Sequence, residues 1–165
     1  NIQADNVISV AATLENNVLA RFSNYGTKSV DVAAPGVGIY STVPDDEYLS
    51  VSGTSQAAPY VSMVASLVKD SNPALTPKEI KQVLIGTVDK KPWLALKVLS
   101  SGVVNKFRAV KAAELAKSVD LATAIAEAIT TVQDEKSNEK MLGNKSIMDL
   151  DAHVLPLPST LLIQK

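Results

Sequence analysis

Residues 52–63 read SGTSQAAPYVSM, and the apolar run that opens there constrains the fold more than any other stretch. From Thr54 to Lys69 the residues Ala57, Ala58, Val61, Met63, Val64, Ala65, Leu67 and Val68 encircle a helix axis instead of lining one stripe. A helix of that kind is expected to be covered on most sides, by a sheet on one and further protein on another. Pro59, Ser62 and Ser66 interrupt the run, which is too short to span a bilayer. Pro59 falls within or just past the first turn, where it bends a helix more readily than it breaks one. At the head of the run stands Ser55, between Thr54 and Gln56 and two residues after Ser52-Gly53. Serine is a preferred N-cap, so Ser55 either caps the helix or is presented by it.

The rest of the chain supplies the sheet such a helix needs. Residues 7–12 (VISVAA) read as a buried strand, 18–22 (VLARF) as a short one, and 30–33 as a third that stops at APGVG. There Pro35 removes a donor and the glycines permit positive φ. YLSVSG reads as one more strand running into the serine. NPALTPKEIKQVLIG carries a helix start, with Thr76 at the N-cap, Pro77 at the first helical position and Glu79 reaching back as a capping box. Ile80, Val83 and Leu84 form its buried stripe and Gly86 its end. Residues 101–117 read as a turn, a short extended piece and a helix from about Lys106. A further helix over 121–132 keeps Leu121, Ile125, Ala128 and Ile129 on one face. QDEKSNEK is a charged linker, and HVLPLPSTLLIQK an extended tail.

Composition narrows what such a chain does. At 165 residues, 46% hydrophobic and 20% charged, it is one globular domain or a large part of one. Its 16 basic and 17 acidic residues form no long block of one sign, which argues against nucleic acid or an anionic membrane as partner. No cysteine is present, so disulfides, thiolate zinc sites and a cysteine nucleophile are excluded. The first residue, Asn1, is not an initiator methionine, and a processed product or fragment is expected.

Four segments, FSNYG (22–26), VDVAAPG (30–36), IYST (39–42) and SGTSQAAPYV (52–61), occur in an order and at separations that resemble the C-terminal half of a subtilisin-like serine protease (subtilase, peptidase S8) catalytic domain. NPALTPKEIKQVL and GVVNKFRAVKAAE are similar to the helices that follow in that family, so the resemblance covers about residues 5–117. It implies an α/β fold of three layers, a mainly parallel sheet between helices, over 1–117, with 118–165 as a C-terminal extension. Ser55 is then the nucleophile, its own N–H an oxyanion donor and the Thr54 hydroxyl a helper. Ser50, Val51, Ser52 and Gly53 line the leaving-group side of a cleft for a polypeptide. A helix N-terminus suits this role, because its unpaired N–H groups and positive dipole end stabilise a developing oxyanion. Gln56 stands where the family commonly has methionine, Tyr60 where histidine is usual, and Ser62 and Met63 where a small residue and a glycine occur, which bears on how closely the helix packs. The resemblance further implies export, no cofactor for the chemistry, room for a structural calcium in the complete domain, and a propeptide among its partners.

In that family the triad runs Asp, His, Ser, yet only 54 residues precede Ser55 and none is histidine. The base, its aspartate and the oxyanion asparagine are therefore expected from a preceding segment or a companion chain. Asn1, Asn6, Asn16, Asn17 and Asn24 lie too close to the following motifs to be that asparagine. Two other readings use this chain alone. In one, a self-contained esterase-like site orders its triad Ser, Asp, His, with the sole histidine, His153, and Asp89, Asp120 or Asp151. In the other, a catalytically silent domain of the same fold binds or regulates. PDDE (44–47) is a weak candidate cation site, and Asp5 and Asn6 are expected near a cation loop.

Overall fold

The computed structural model describes residues 4–134. Strands β1 (Val10–Thr13), β2 (Val32–Pro35), β6 (Gly102–Val103) and β5 (Asp89–Lys90) form one sheet in the order β1-β2-β6-β5. β1 pairs with β2 in parallel, Val10 opposite Val32 through Thr13 opposite Pro35, and β2 pairs in parallel with β6; only β5 runs antiparallel. β3 (Ile39–Val43) and β4 (Glu47–Val51) make a separate antiparallel hairpin. The helices are α1 (Thr54–Ser71), α2 (Pro77–Gly86), α3 (Lys106–Leu115) and α4 (Leu121–Thr131). This is an α/β fold with a mainly parallel sheet, as expected.

Alternation along the strands divides the core in two. Ala12, Val32 and Ala34 point to one face, where they meet Ala57, Val61, Val64 and Val68 of α1, with Val83 and Leu84 of α2 and Ala109, Ala112 and Ala113 of α3 behind them. Ala11, Ala33 and Val103 point to the other, against Leu94, Val98 and Val30. The alanines of β1 and β2 let α1 lie close on the sheet; each is fully buried.

α2 begins as its sequence predicts. Thr76 Oγ1 accepts the Glu79 N–H at 3.3 Å, the Glu79 carboxylate accepts the Thr76 N–H at 2.8 Å, and Pro77 occupies the first turn. α3 starts at Lys106 with Asn105 as its cap. α4 is capped by Asp120, and its covered stripe is Leu121, Ala124, Ile125 and Ala128; Ile129, expected on that face, is 42% exposed. Residues 18–22 do not form a strand: a single bridge, Thr13 to Leu19, replaces it, because the chain turns at residues 21 and 22. The strand expected at residues 30–33 to stop at APGVG runs instead from Val32 to Pro35, because Ala34 and Pro35 still pair with Ala12 and Thr13; ahead of it the Asp31 carboxylate accepts the Ser9 N–H at 2.8 Å.

Within the described residues α1 is covered on its sheet side only. Its buried residues, Ala57, Val61, Val64 and Val68, form one stripe, while Ala58, Ser62, Met63, Ser66 and Leu67 are exposed among the described residues. Spacings of four, three and four residues define a face, and the other apolar side chains lie outside it. Ser62 and Met63 thus do not disturb the packing against the sheet. β1 is also an edge: it pairs with β2, and no strand lies on its other side among the described residues. Between that edge and α1 runs a groove of about 230 Å³, bordered by Ile8, Val10, Ala58 and Ala65.

Candidate active site

The nucleophile candidate is delivered by a crossing of two backbones. β2 is followed at once by Gly36, whose carbonyl accepts the Gly53 N–H at 2.7 Å, while the Gly36 N–H is donated to Thr13 O at 3.0 Å. A Cβ on Gly36 would lie 2.7 Å from Gly53 O and 2.7 Å from the Ala12 Cβ. Only glycine lets the head of α1 rest on the carboxyl end of the parallel strands, where open α/β sheets place their ligands. Gly53 itself has φ 167, extended backbone that needs no special residue. Its lack of a side chain serves space instead, since a Cβ would lie 2.7 Å from Gln56 Oε1.

Ser55 does not cap α1. The cap position belongs to Gly53, which has no side chain to offer, and Ser55 is the second helical residue. Its hydroxyl is exposed and has no hydrogen-bond partner among the described residues. The first backbone bonds of the helix are donated by Gln56 and Ala57 to Gly53 O, at 3.1 and 3.3 Å, which leaves the N–H groups of Thr54 and Ser55 without acceptors. Pro59 has no N–H to give the Ser55 carbonyl, so this turn is held loosely from within and tightly by the Gly36–Gly53 contact. An exposed hydroxyl beside two unpaired N–H groups at a positive helix end is an arrangement that can add to a carbonyl and hold the resulting oxyanion.

The expected cleft residues precede it in line. Ser50 and Val51 end β4, and the Ser52 hydroxyl accepts the Gly38 N–H at 2.9 Å, fixing the hairpin to the loop after β2. Gly38, with φ 67, is the glycine of APGVG that adopts the left-handed region; Gly36 does not.

The carboxylates considered for other roles are structural. Asp89 is buried and accepts Arg108 Nη1 at 2.9 Å and Asn105 Nδ2 at 2.8 Å, and Asp120 accepts the Thr123 N–H at 3.1 Å as the α4 cap. Bonds from the Thr123 hydroxyl and N–H hold the Asp120 carboxyl below its ordinary range. His153 and Asp151 lie outside the described residues. Asp45 and Asp46 occupy the tip of the β3–β4 hairpin with φ 67 and 58, and no group of three acidic or histidine side chains converges among the described residues. Near Asp5 and Asn6 a cation is present as a side chain: Lys81 Nζ donates to Val7 O at 2.6 Å and lies 3.2 Å from Asp31 Oδ2, while Asp5 pairs with Lys78 at 2.8 Å. Sequence reasoning missed Lys81, because Asp31, just before β2 and fifty residues away, gives no local signal of the pair.

A mainly parallel sheet packed by helices places the molecule among α/β folds. The chain belongs to the subtilase family: the Peptidase_S8 family model matches residues 2–142. It is 48% identical over 82 residues to alkaline elastase YaB of Bacillus sp. (strain YaB), a stretch covering 50% of this chain and 21% of that protein. It is 40% identical over 114 residues to subtilisin-like protease 1 of Plasmodium falciparum (isolate 3D7), covering 66% of this chain and 17% of the relative. Among solved structures, a protease from Pseudoalteromonas arctica PAMC 21717 superposes with a TM-score of 0.58 at 36% identity, over 66% of this chain and 36% of that one. The chain therefore spans well under half the length of these relatives. No helix among the described residues is long and apolar enough to cross a membrane.

Proposed function

We propose that this chain is the nucleophile-bearing part of a serine endopeptidase, with Ser55 forming the acyl-enzyme. The single observation that carries the reading is the Ser55 hydroxyl, exposed and unpartnered at the second position of an uncapped helix. In the reaction, Ser55 Oγ adds to the scissile carbonyl as its proton passes to an imidazole. The tetrahedral oxyanion lies against the Ser55 N–H with the Thr54 hydroxyl beside it. Collapse breaks the C–N bond, the leaving amine takes the proton, and water then releases the acyl group. Ser50, Val51, Ser52 and Gly53 flank the leaving-group arm of the substrate.

On this reading a preceding segment or companion chain supplies the histidine, its aspartate and a second oxyanion donor, an asparagine. Three features support that assignment: the Val10 end of the β1 edge, the exposed outer face of α1 with Met63 and Leu67, and the groove between them. Residues 18–23 bond to the Ala12–Leu14 end of that edge, which leaves the Val10 end, beside an apolar helix face, as a surface that further protein covers. Export of the protein, a propeptide partner and a structural calcium in the complete domain belong to the same proposal. A catalytically silent binding domain is the reading to which a negative result leads.

Substitution tests it. In the native protein, purified with whatever chain accompanies it, Ser55→Ala is expected to lower peptide hydrolysis by ~10³-fold or more. Hydrolysis that survives Ser55→Ala at the wild-type rate would overturn the assignment.

A further inference from the structure

The β3–β4 hairpin carries no buried residue on either strand, yet it leads directly into Ser55. Its register places Tyr40 opposite Ser50 and Thr42 opposite Tyr48, so alternation puts Tyr40, Thr42, Tyr48 and Ser50 on one face. On that face the rings of Tyr40 and Tyr48 stack diagonally, 5.5 Å between centroids and 14° between planes, while remaining 71% and 56% exposed. Most of the pair's aromatic surface faces solvent and contributes little to any core. The same face continues along β4 through Ser50 to Ser52, two residues at a time, toward the head of α1. β4 pairs with β3 alone among the described residues, which leaves one backbone edge open for an extended chain to lie along.

We propose that the Tyr40–Tyr48 pair is a remote subsite that selects an aromatic or large aliphatic side chain on the leaving-group arm of a polypeptide substrate. This rests on the peptidase reading above. Tyr48 lies four residues before Ser52, ~14 Å along an extended strand, so the residue it selects stands about four positions beyond the scissile bond. The occupant is an extended polypeptide because the platform is continuous with the nucleophile's own strand and ends in an open edge. A stacked tyrosine pair offers such a side chain a flat apolar surface, with hydroxyls at the rim to stay wet.

Two peptide lengths separate this from a merely structural stack. Against a peptide with five leaving-group residues and phenylalanine at the fourth, Tyr48→Ala and Tyr40→Ala in the native protein are each expected to lower kcat/KM by ~5–10-fold. Against a peptide with two leaving-group residues both variants are expected to match wild type, and Tyr48→Phe to match it with either. An equal loss with short and long peptides means the pair only shapes the hairpin, and no loss with the long one means nothing stacks there; either result overturns the proposal. A binding measurement keeps the test independent of turnover. Fluorescence polarisation of the labelled long peptide on Ser55→Ala protein is expected to show Kd rising by the same ~5–10-fold with Tyr48→Ala, and an unchanged Kd would sink the subsite even if Ser55 proved catalytic.

Discussion

Thr13 ends β1 fully buried, and its hydroxyl has no hydrogen-bond partner, while its backbone carbonyl receives the Gly36 N–H. An unpaired buried hydroxyl is costly, so Thr13→Val, which keeps the shape and removes the polar atom, is expected to stabilise the protein by ~1 kcal/mol. Thermal unfolding followed by circular dichroism reads this as a rise in Tm. Lys81 presents the opposite case. Its ammonium is shared between Val7 O and the Asp31 carboxylate, and both side chains are less than one-fifth exposed. Lys81→Met leaves the carboxylate with a single backbone partner and the carbonyl with none, a loss of ~2 kcal/mol in urea unfolding. Of the candidate site, the placing of Thr54 and Ser55 at the head of an apolar helix is legible because one short stretch carries it. The task of Gly36 is not, because the atoms that exclude a side chain there, Gly53 O and Ala12 Cβ, are distant in sequence.

At the level of elements, α1 is aimed by its contact with the end of β2. Gly36→Ala would force Gly53 and the first turn of α1 away from the strand ends, displacing Ser55. Activity toward small esters is expected to fall at least ~10²-fold with far-ultraviolet dichroism retained, since ~1 Å of misplacement is enough to cost that much. α2 is the element its sequence describes best, because the capping box is local: Thr76→Ala removes it and should cost ~1 kcal/mol of stability. The stripe of α1 that meets the sheet is not legible in the same way. Apolar composition alone does not tell which alanines and valines meet the sheet, and Met63 and Leu67 lie off the stripe. β5 and β6 escaped as strands because two residues set no period; their pairing, Asp89 opposite Val103, is fixed by tertiary contacts.

Across the molecule, a polar cluster ties the end of α4 to the sheet. Arg108 donates to Val132 O at 2.7 Å and to Asp89 at 2.9 Å, and pairs with Asp134, which Lys91 also meets at 3.2 Å. Burial raises the Asp134 carboxyl, but the Lys91 hydrogen bond and the charges of Lys91 and Arg108 outweigh it, leaving it below the ordinary 3.8. A carboxylate depressed in the folded state contributes stability above its unfolded value and loses it as pH falls through the folded one. Protection of the amides in the C-terminal turn of α4, corrected for the intrinsic exchange rate, should therefore be lost as pH falls below about 3.8, and Asp134→Asn should remove that pH dependence. The claim to which the hairpin, the helix and the groove all contribute is that Ser55 is an activated nucleophile. Its most direct test is treatment of the native protein with a fluorophosphonate, followed by denaturing mass spectrometry and peptide mapping. One adduct per chain is expected, on Ser55, with a second polypeptide or a longer chain in the spectrum supplying the base. An intact native protein that takes up no reagent at Ser55 would contradict it.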